Sequence, residues 1–259
     1  MLYRDLADFM NGCGYIIGGQ WYPRVTSIIS IKAKPALLKF YADAESYSHA
    51  LSTTKQSASE GTKIHNAVEA ILKNETPEQN PEILPAVNAF NDFLNMHSVN
   101  TKEGAIEKRI WSNTHHFAGT IDILAEVDGL FGVLDVKTSS GIWRDYNLQT
   151  SAYMGALQED ETWEDLPKKP VDHRWILRID QKQICTLCGA TKRTKGGRET
   201  IKTNRNNSAS EKCQHEWSEV RGEWELKALD GFEKDYDAFL GAKKLWEWEN
   251  EQWLRQIGY

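Results

Sequence analysis

The stretch that most narrows what this chain can fold into is "TIDILAEVDGLFGVLDVK", residues 120–137. Apolar residues alternate on either side of Asp128-Gly129. An Asp-Gly pair between two such runs signals a two-residue hairpin, because both residues tolerate the positive φ that a tight turn needs. A turn at these two residues sets Val127 against Leu130 and so fixes the register of both strands. In that register Asp122 faces Asp135, in a non-hydrogen-bonded pair whose Cα atoms approach to ~4.5 Å. Like charges directly opposite destabilise a sheet unless a proton or a cation intervenes. Lys137 lies on the same side of its strand as Asp135 and relieves part of the repulsion. Two carboxylates this close suit a hard, oxygen-loving cation such as Mg²⁺ or Mn²⁺. The alternative is a surface pair of acids, or a longer loop with another register.

Composition bounds the rest. A chain of 259 residues can bury a core as one large domain, or as one domain with a small appendage. Its 40% hydrophobic and 26% charged residues match an ordinary soluble globular protein. The net charge of −6 argues against a generally basic nucleic-acid coat but leaves room for a local basic groove. No apolar run reaches membrane-spanning length, and the acids in "MLYRDLADFM" do not read as a secretory signal, so a cytoplasmic protein is expected. Four cysteines in a chain this long read as free thiols or metal ligands rather than a disulfide scaffold. No G-x-x-x-x-G-K-[ST] loop occurs, so an ATP-driven motor is not expected.

Along the chain, residues 1–22 are glycine-rich and read as a loose cap. Thr26 or Ser27 reads as a helix N-cap, and Pro35 as the restart of a helix. Ile64, Val68, Ile71 and Leu72 form one helical stripe, and "AVNAFNDFLNMH" predicts a further helix. Strands are expected between Ala105 and Lys137, then at "HRWILRID" and "EWSEVRGEWEL". Asp145 reads as the cap of a helix through "YNLQTSAYMGAL". A last helix carries Phe232, Tyr236, Phe239, Leu240 and Trp246 at core-packing spacing.

In this order the motifs carry a resemblance. "GTID" followed by "LDVKTS" resembles the core of the PD-(D/E)XK nuclease superfamily. "QTSAY" is similar to the Gln-x-x-x-Tyr signature of its RecB-like exonuclease branch, here Gln149 and Tyr153. "GTKIHNAVEAIL" supplies His65 in a context like that branch's upstream helical histidine. The likeness runs from about Val25 to Tyr153, with Ile121 where the motif's name has proline and Asp135 in the Asp-or-Glu position. It implies an α/β fold: a central mixed β-sheet flanked by helices, with a restriction-endonuclease-like core. It also implies Mg²⁺ or Mn²⁺ held by His65, Asp122, Asp135 and the Val136 carbonyl, with Lys137 stabilising charge. Gln149 and Tyr153 would orient Lys137 or the nucleic acid. The implied substrate is DNA with a free end or a single strand, cut to leave 5′-phosphates, and recombination or replication proteins are possible partners. Outside the resemblance, His65 reads as a partner of Glu69, and Glu107 as a strand-surface residue. His115 and His116, adjacent in sequence, do not read as a metal pair.

Residues 181–215 read as an insertion between two parts of the core, 1–180 and 216–259. "CTLCG" and "CQHEW" place Cys185, Cys188, Cys213 and His215 as a Cys3His zinc set. Unliganded thiols are one alternative, and an iron–sulfur cluster recruiting Cys13 is another. Between the half-sites, Lys192, Arg193, Lys195, Arg198, Lys202 and Arg205 form a basic run that reads as a solvated surface or a DNA-gripping loop. Two functions from other classes stay open: a non-catalytic nucleic-acid-binding module using the zinc finger, and a structure-specific flap endonuclease.

Overall fold

A computed structural model describes residues 3–159, 169–203 and 212–259. Arg205 lies outside the described residues. The chain opens with α1 (Leu6–Cys13), a hairpin of β1 (Gly14–Ile17) and β2 (Gln20–Pro23), and α2 (Val25–Ile29). Then come α3 (Pro35–Asp43), α4 (Tyr47–Leu72) and α5 (Leu84–Met96). The central strands are β3 (Val99–Ser112), β4 (Phe117–Val127) and β5 (Leu130–Lys137), followed by α6 (Asp145–Leu157). After these come β6 (His173–Ile184), β7 (Thr191–Lys195), β8 (Arg198–Lys202), β9 (Arg221–Ala228), α7 (Phe232–Glu249) and α8 (Glu251–Ile257).

The central sheet runs β3-β4-β5-β6-β7-β8, with β9 also paired to β6. It is mixed: β5 and β6 run parallel across the α6 crossover, whereas the other neighbours pair antiparallel. Because side chains alternate along a strand, each face buries its own core. Val133 and Leu124 pack with α1, α2, α6, α7 and α8 on one face. Leu134, Val136, Ile123 and Ala125 pack with α4 and α5 on the other. Helices therefore flank a mixed sheet, as expected for the α/β class.

The first residues are no loose cap. Phe9 is fully buried and stacks on Trp253, with centroids 5.6 Å apart, and packs on Trp21 at 5.6 Å. Two expected caps also move. α2 starts after Arg24 rather than at Thr26 or Ser27, and α6 starts after Arg144 with Asp145 already inside it. The insertion is not a separate body. β6 passes straight through residues 180 and 181, and Gln183↔Lys192 and Ile184↔Thr191 extend the sheet into β7. No helix among the described residues is long and apolar enough to cross a membrane.

Candidate active site

The hairpin forms as its turn residues dictate. Asp128 has φ 52° and Gly129 φ 86°, and Val127 pairs with Leu130. The ladder stops at Ile123↔Leu134, one pair short of the two aspartates. Ile121 joins the first core and Ile123 the second, so β4 rolls over at Asp122. There the Val136 N–H leaves the ladder and donates to Asp122 Oδ2 at 2.7 Å. Asp122 is thus held by the backbone of β5 rather than stacked against Asp135, which corrects the face-to-face pairing.

Asp135 is fully buried, and its Oδ1 has no hydrogen-bond partner. Its one counter-charge is Lys137, ion-paired through Nζ. Burial pushes the Asp135 carboxyl up to about 6, against the pull of Lys137. Asp122 is raised too, first by burial. Burial opposes the charge on Lys137, but Asp135 and Asp122 outweigh it and hold the ammonium above its usual range. The Lys137 ammonium sits 5.2 Å from the Tyr146 ring centroid, and the Tyr146 hydroxyl donates to Ser139 Oγ at 2.9 Å.

On the α4 side, His65, Glu107 and Asp122 each offer a donor atom within 4.8 Å of the others. His65 Nδ1 lies 3.9 Å from Asp122 Oδ2, whereas Glu69 binds Lys73 at 2.7 Å, so a His65–Glu69 pair does not form. Burial first, then the field of Lys137, lowers the His65 pKa and keeps the imidazole neutral, as a ligand must be. Glu107 is exposed, as a strand-surface residue should be, yet its carboxylate lies within 4.8 Å of the donor atoms of His65 and Asp122. The β3–β4 register shifts between Thr101 and Ile106, and Glu107 follows with φ 49°, between the pairs Ile106↔Ile123 and Lys108↔Ile121. That bulge aims it at Asp122. Burial, reinforced by Asp122, pushes its carboxyl up to about 7 although the residue keeps an exposed edge. Carboxylates that resist ionising, beside a neutral imidazole, form a donor set that a divalent cation fits.

Gln149 and Tyr153 lie behind this site, not in it. Tyr153 is buried and accepts from Nε2 of the half-buried Gln149 at 3.0 Å. Burial, then Asp135 and Asp122, holds the phenol well above its usual range and therefore neutral. The ring explains the glycine of "GTID": a Cβ on Gly119 would lie 2.4 Å from Tyr153 Cε1.

A cleft of about 1190 Å³ opens over the site, with His65, Glu107, Asp122, Val136 and Lys137 on its floor. β7 and β8 form one wall, joined by Gly196 (φ 60°) and Gly197 (φ 74°). Alternation sorts the basic run. Arg193, Lys195, Arg198 and Lys202 line the cleft, while Lys192 points away, over Trp217 at 5.2 Å and 3.6 Å from Glu199. Two of the cleft-facing charges are already engaged. Arg193 pairs with Asp180 at 2.7 Å, and Lys195 donates to Thr138 Oγ1 at 2.8 Å. Arg198 lies over Phe40, 4.8 Å from the ring centroid. Sequence reasoning missed Glu107, Tyr146 and Asp180. Only the Gly-Gly turn of this hairpin left a readable signal.

Beyond β6 the four zinc-set residues do come together, their donor atoms within 4.8 Å of one another. Cys13 lies apart, its thiol donating to Tyr3 Oη at 2.9 Å, so it is no fourth cysteine of that cluster. His116 stacks on Tyr22 and His115 packs edge-on to Tyr236. No family model matches the chain, and no curated protein matches it.

Proposed function

We propose that this protein is a divalent-metal-dependent deoxyribonuclease of the PD-(D/E)XK type, acting as an exonuclease in replication, recombination or repair. The observation that carries the reading is Asp135. A fully buried carboxylate whose one ion-pair partner is Lys137, with three further donors nearby, is costly unless charge passes through the site. His65, Glu107 and Asp122, with Asp135 behind them, are the residues that would hold Mg²⁺ or Mn²⁺. Such an ion supplies Lewis acidity to a phosphate oxygen and lowers the pKa of water.

The chain's own groups do the rest. Lys137, kept charged by two acids, meets the negative charge that grows on the phosphate. Tyr146 limits where its ammonium can swing. Val136 spends its N–H on Asp122, which fixes that carboxylate against the floor. Arg198 and Lys202 on the wall offer charge to a phosphate backbone, and Trp143, exposed at the cleft, offers a stacking face to a base.

End-labelled linear and circular DNA, single- and double-stranded, incubated with Mg²⁺, Mn²⁺ or EDTA, tests the reading. Linear DNA should shorten to products with 5′-phosphates, only with metal. Cutting of circles would replace exonuclease with endonuclease action. Binding without cutting in any metal would leave a nucleic-acid-binding module.

A further inference from the structure

We propose that Cys185, Cys188, Cys213 and His215 hold one structural zinc ion, and that this ion sets the position of the β7–β8 wall over the catalytic acids. The second half rests on the cleft being the nuclease site. The first half rests on geometry. A zinc ion with zinc–sulfur bonds of ~2.3 Å at tetrahedral angles separates neighbouring sulfurs by ~3.8 Å, and a sulfur from an imidazole nitrogen by ~3.6 Å. Cys185 Sγ and Cys213 Sγ are 3.8 Å apart, and Cys188 Sγ lies 3.4 Å from His215 Nδ1. A disulfide would need ~2.05 Å between sulfurs, so the sulfur pair is spaced for a shared ion instead. The loop is shaped to match. Gly189 takes φ 74° and donates to the Cys185 carbonyl, and Cys185 N–H donates to the Ala190 carbonyl at 2.8 Å.

The hairpin needs such a staple. β7 joins β6 through Gln183↔Lys192 and Ile184↔Thr191 alone, every residue of β8 is exposed, and a hairpin so lightly anchored is marginal in water. The apolar cluster at its base holds only Cys185, Cys188 and Ala190 as buried members. Yet its tip is placed closely. Gly196 N–H donates to Glu60 Oε1 at 2.9 Å, and a Cβ there would lie 2.3 Å from the Thr53 carbonyl oxygen. Arg193 donates to the Thr138 carbonyl at 3.1 Å, and Lys195 reaches the same residue. Glu60 shares α4 with His65, and Thr138 follows Lys137. The hairpin therefore bridges the two elements that bring the site's histidine and lysine. Its base is the Cys3His cluster.

Elemental analysis of the purified full-length chain should find one zinc per chain. Iron with acid-labile sulfide, or no metal, overturns the assignment. Cys188→Ser should lose the zinc, whereas His215→Cys, which keeps four tetrahedral donors, should retain it. Loss of zinc from neither variant refutes the ligand set. Hydrogen exchange reads the coupling. With zinc stripped, the Gly196 amide should exchange at least ten-fold faster while amides in α5 keep their rates. Gly196→Ala supplies a control that spares the ligands: zinc stays and the tip loosens. An unchanged Gly196 rate after zinc removal refutes the coupling. Because neither readout uses hydrolysis, a chain that holds zinc and couples it to Gly196 but cuts no DNA keeps the zinc site and its coupling to the wall and loses the nuclease reading. A chain that cuts DNA without zinc does the reverse.

Discussion

The acid cluster at the end of the sheet and the thiol cluster beyond β6 are both sets of side chains that could hold a metal ion, yet the surrounding chain treats them differently. At the thiols, burial works against ionisation. At Cys185 the Cys188 N–H, the His215 ring and the Leu187 N–H outweigh it and pull the thiol down to about 6, whereas burial first pushes Cys213 up to about 12. At the acids, burial prevails: Asp135 is pushed up to about 6, with Lys137 as its ion-pair partner. One cluster is closed around its own backbone. The other opens on a large cleft through His65, Glu107 and Asp122. Structural metal sites are closed and catalytic ones keep a position open, and the proposed roles of the two clusters follow that division. What separates them is the backbone around the donors more than the donors themselves.

The sharpest way to break the comparison is to take a charge from the open cluster. Asp122→Asn should cut the rate of DNA cleavage by roughly 10³-fold while the zinc content stays at its wild-type value. Near-normal turnover would remove Asp122 from the chemistry. Glu107→Gln should act next most strongly, raising the divalent-ion concentration needed for half-maximal cleavage by about 10- to 100-fold. Metal titrations check this, and an unchanged midpoint would return Glu107 to the surface.

Gly119→Ala should cost roughly 2 kcal/mol, because the buried Tyr153 ring cannot yield to a Cβ at 2.4 Å. Urea titration reads that loss, and a variant as stable as the wild type would mean the ring moves freely.

The smallest effect concerns protons. Glu107 has a raised carboxyl pKa, so the folded state binds its proton more tightly than the unfolded chain does. That contribution is present at low pH and fades as pH rises from ~4 to about 7. In EDTA, Glu107→Gln should gain a few degrees of Tm on the wild type between pH 5 and pH 8. A gain in the opposite direction would show that Glu107 is held as the anion.

How much of this was legible in the sequence depended on how locally each feature is encoded. The Asp128-Gly129 turn was legible because two adjacent residues fix it, and the helix entry at Pro35 for the same reason. The cysteines and His215 were legible as a set because ligand spacing survives whatever the loop does. Glu107 was not, since strand alternation counts residues and cannot register a bulge that shifts the count. Phe9 and Trp21 were hidden because their partners, Trp246 and Trp253, lie more than two hundred residues away. Gln149 and Tyr153 were found, but the burial of Tyr153 behind Gly119 is a property of packing that no motif carries.

The two-residue turn at Asp128 and Gly129 has a consequence in time. Hairpins close in ~1–10 μs, whereas strands that meet only across a long crossover wait for the intervening chain to organise. β4 and β5 can therefore join early, but β6 must return across α6 before it lies beside β5. Asp122 and Asp135 first come near each other on a ribbon still bathed in water, where ions in solution damp their repulsion. Once β6 has returned, Asp135 pairs with Ile176 across the parallel strands and lies fully buried. A short turn of this kind can bring two like charges near each other before the long crossover closes.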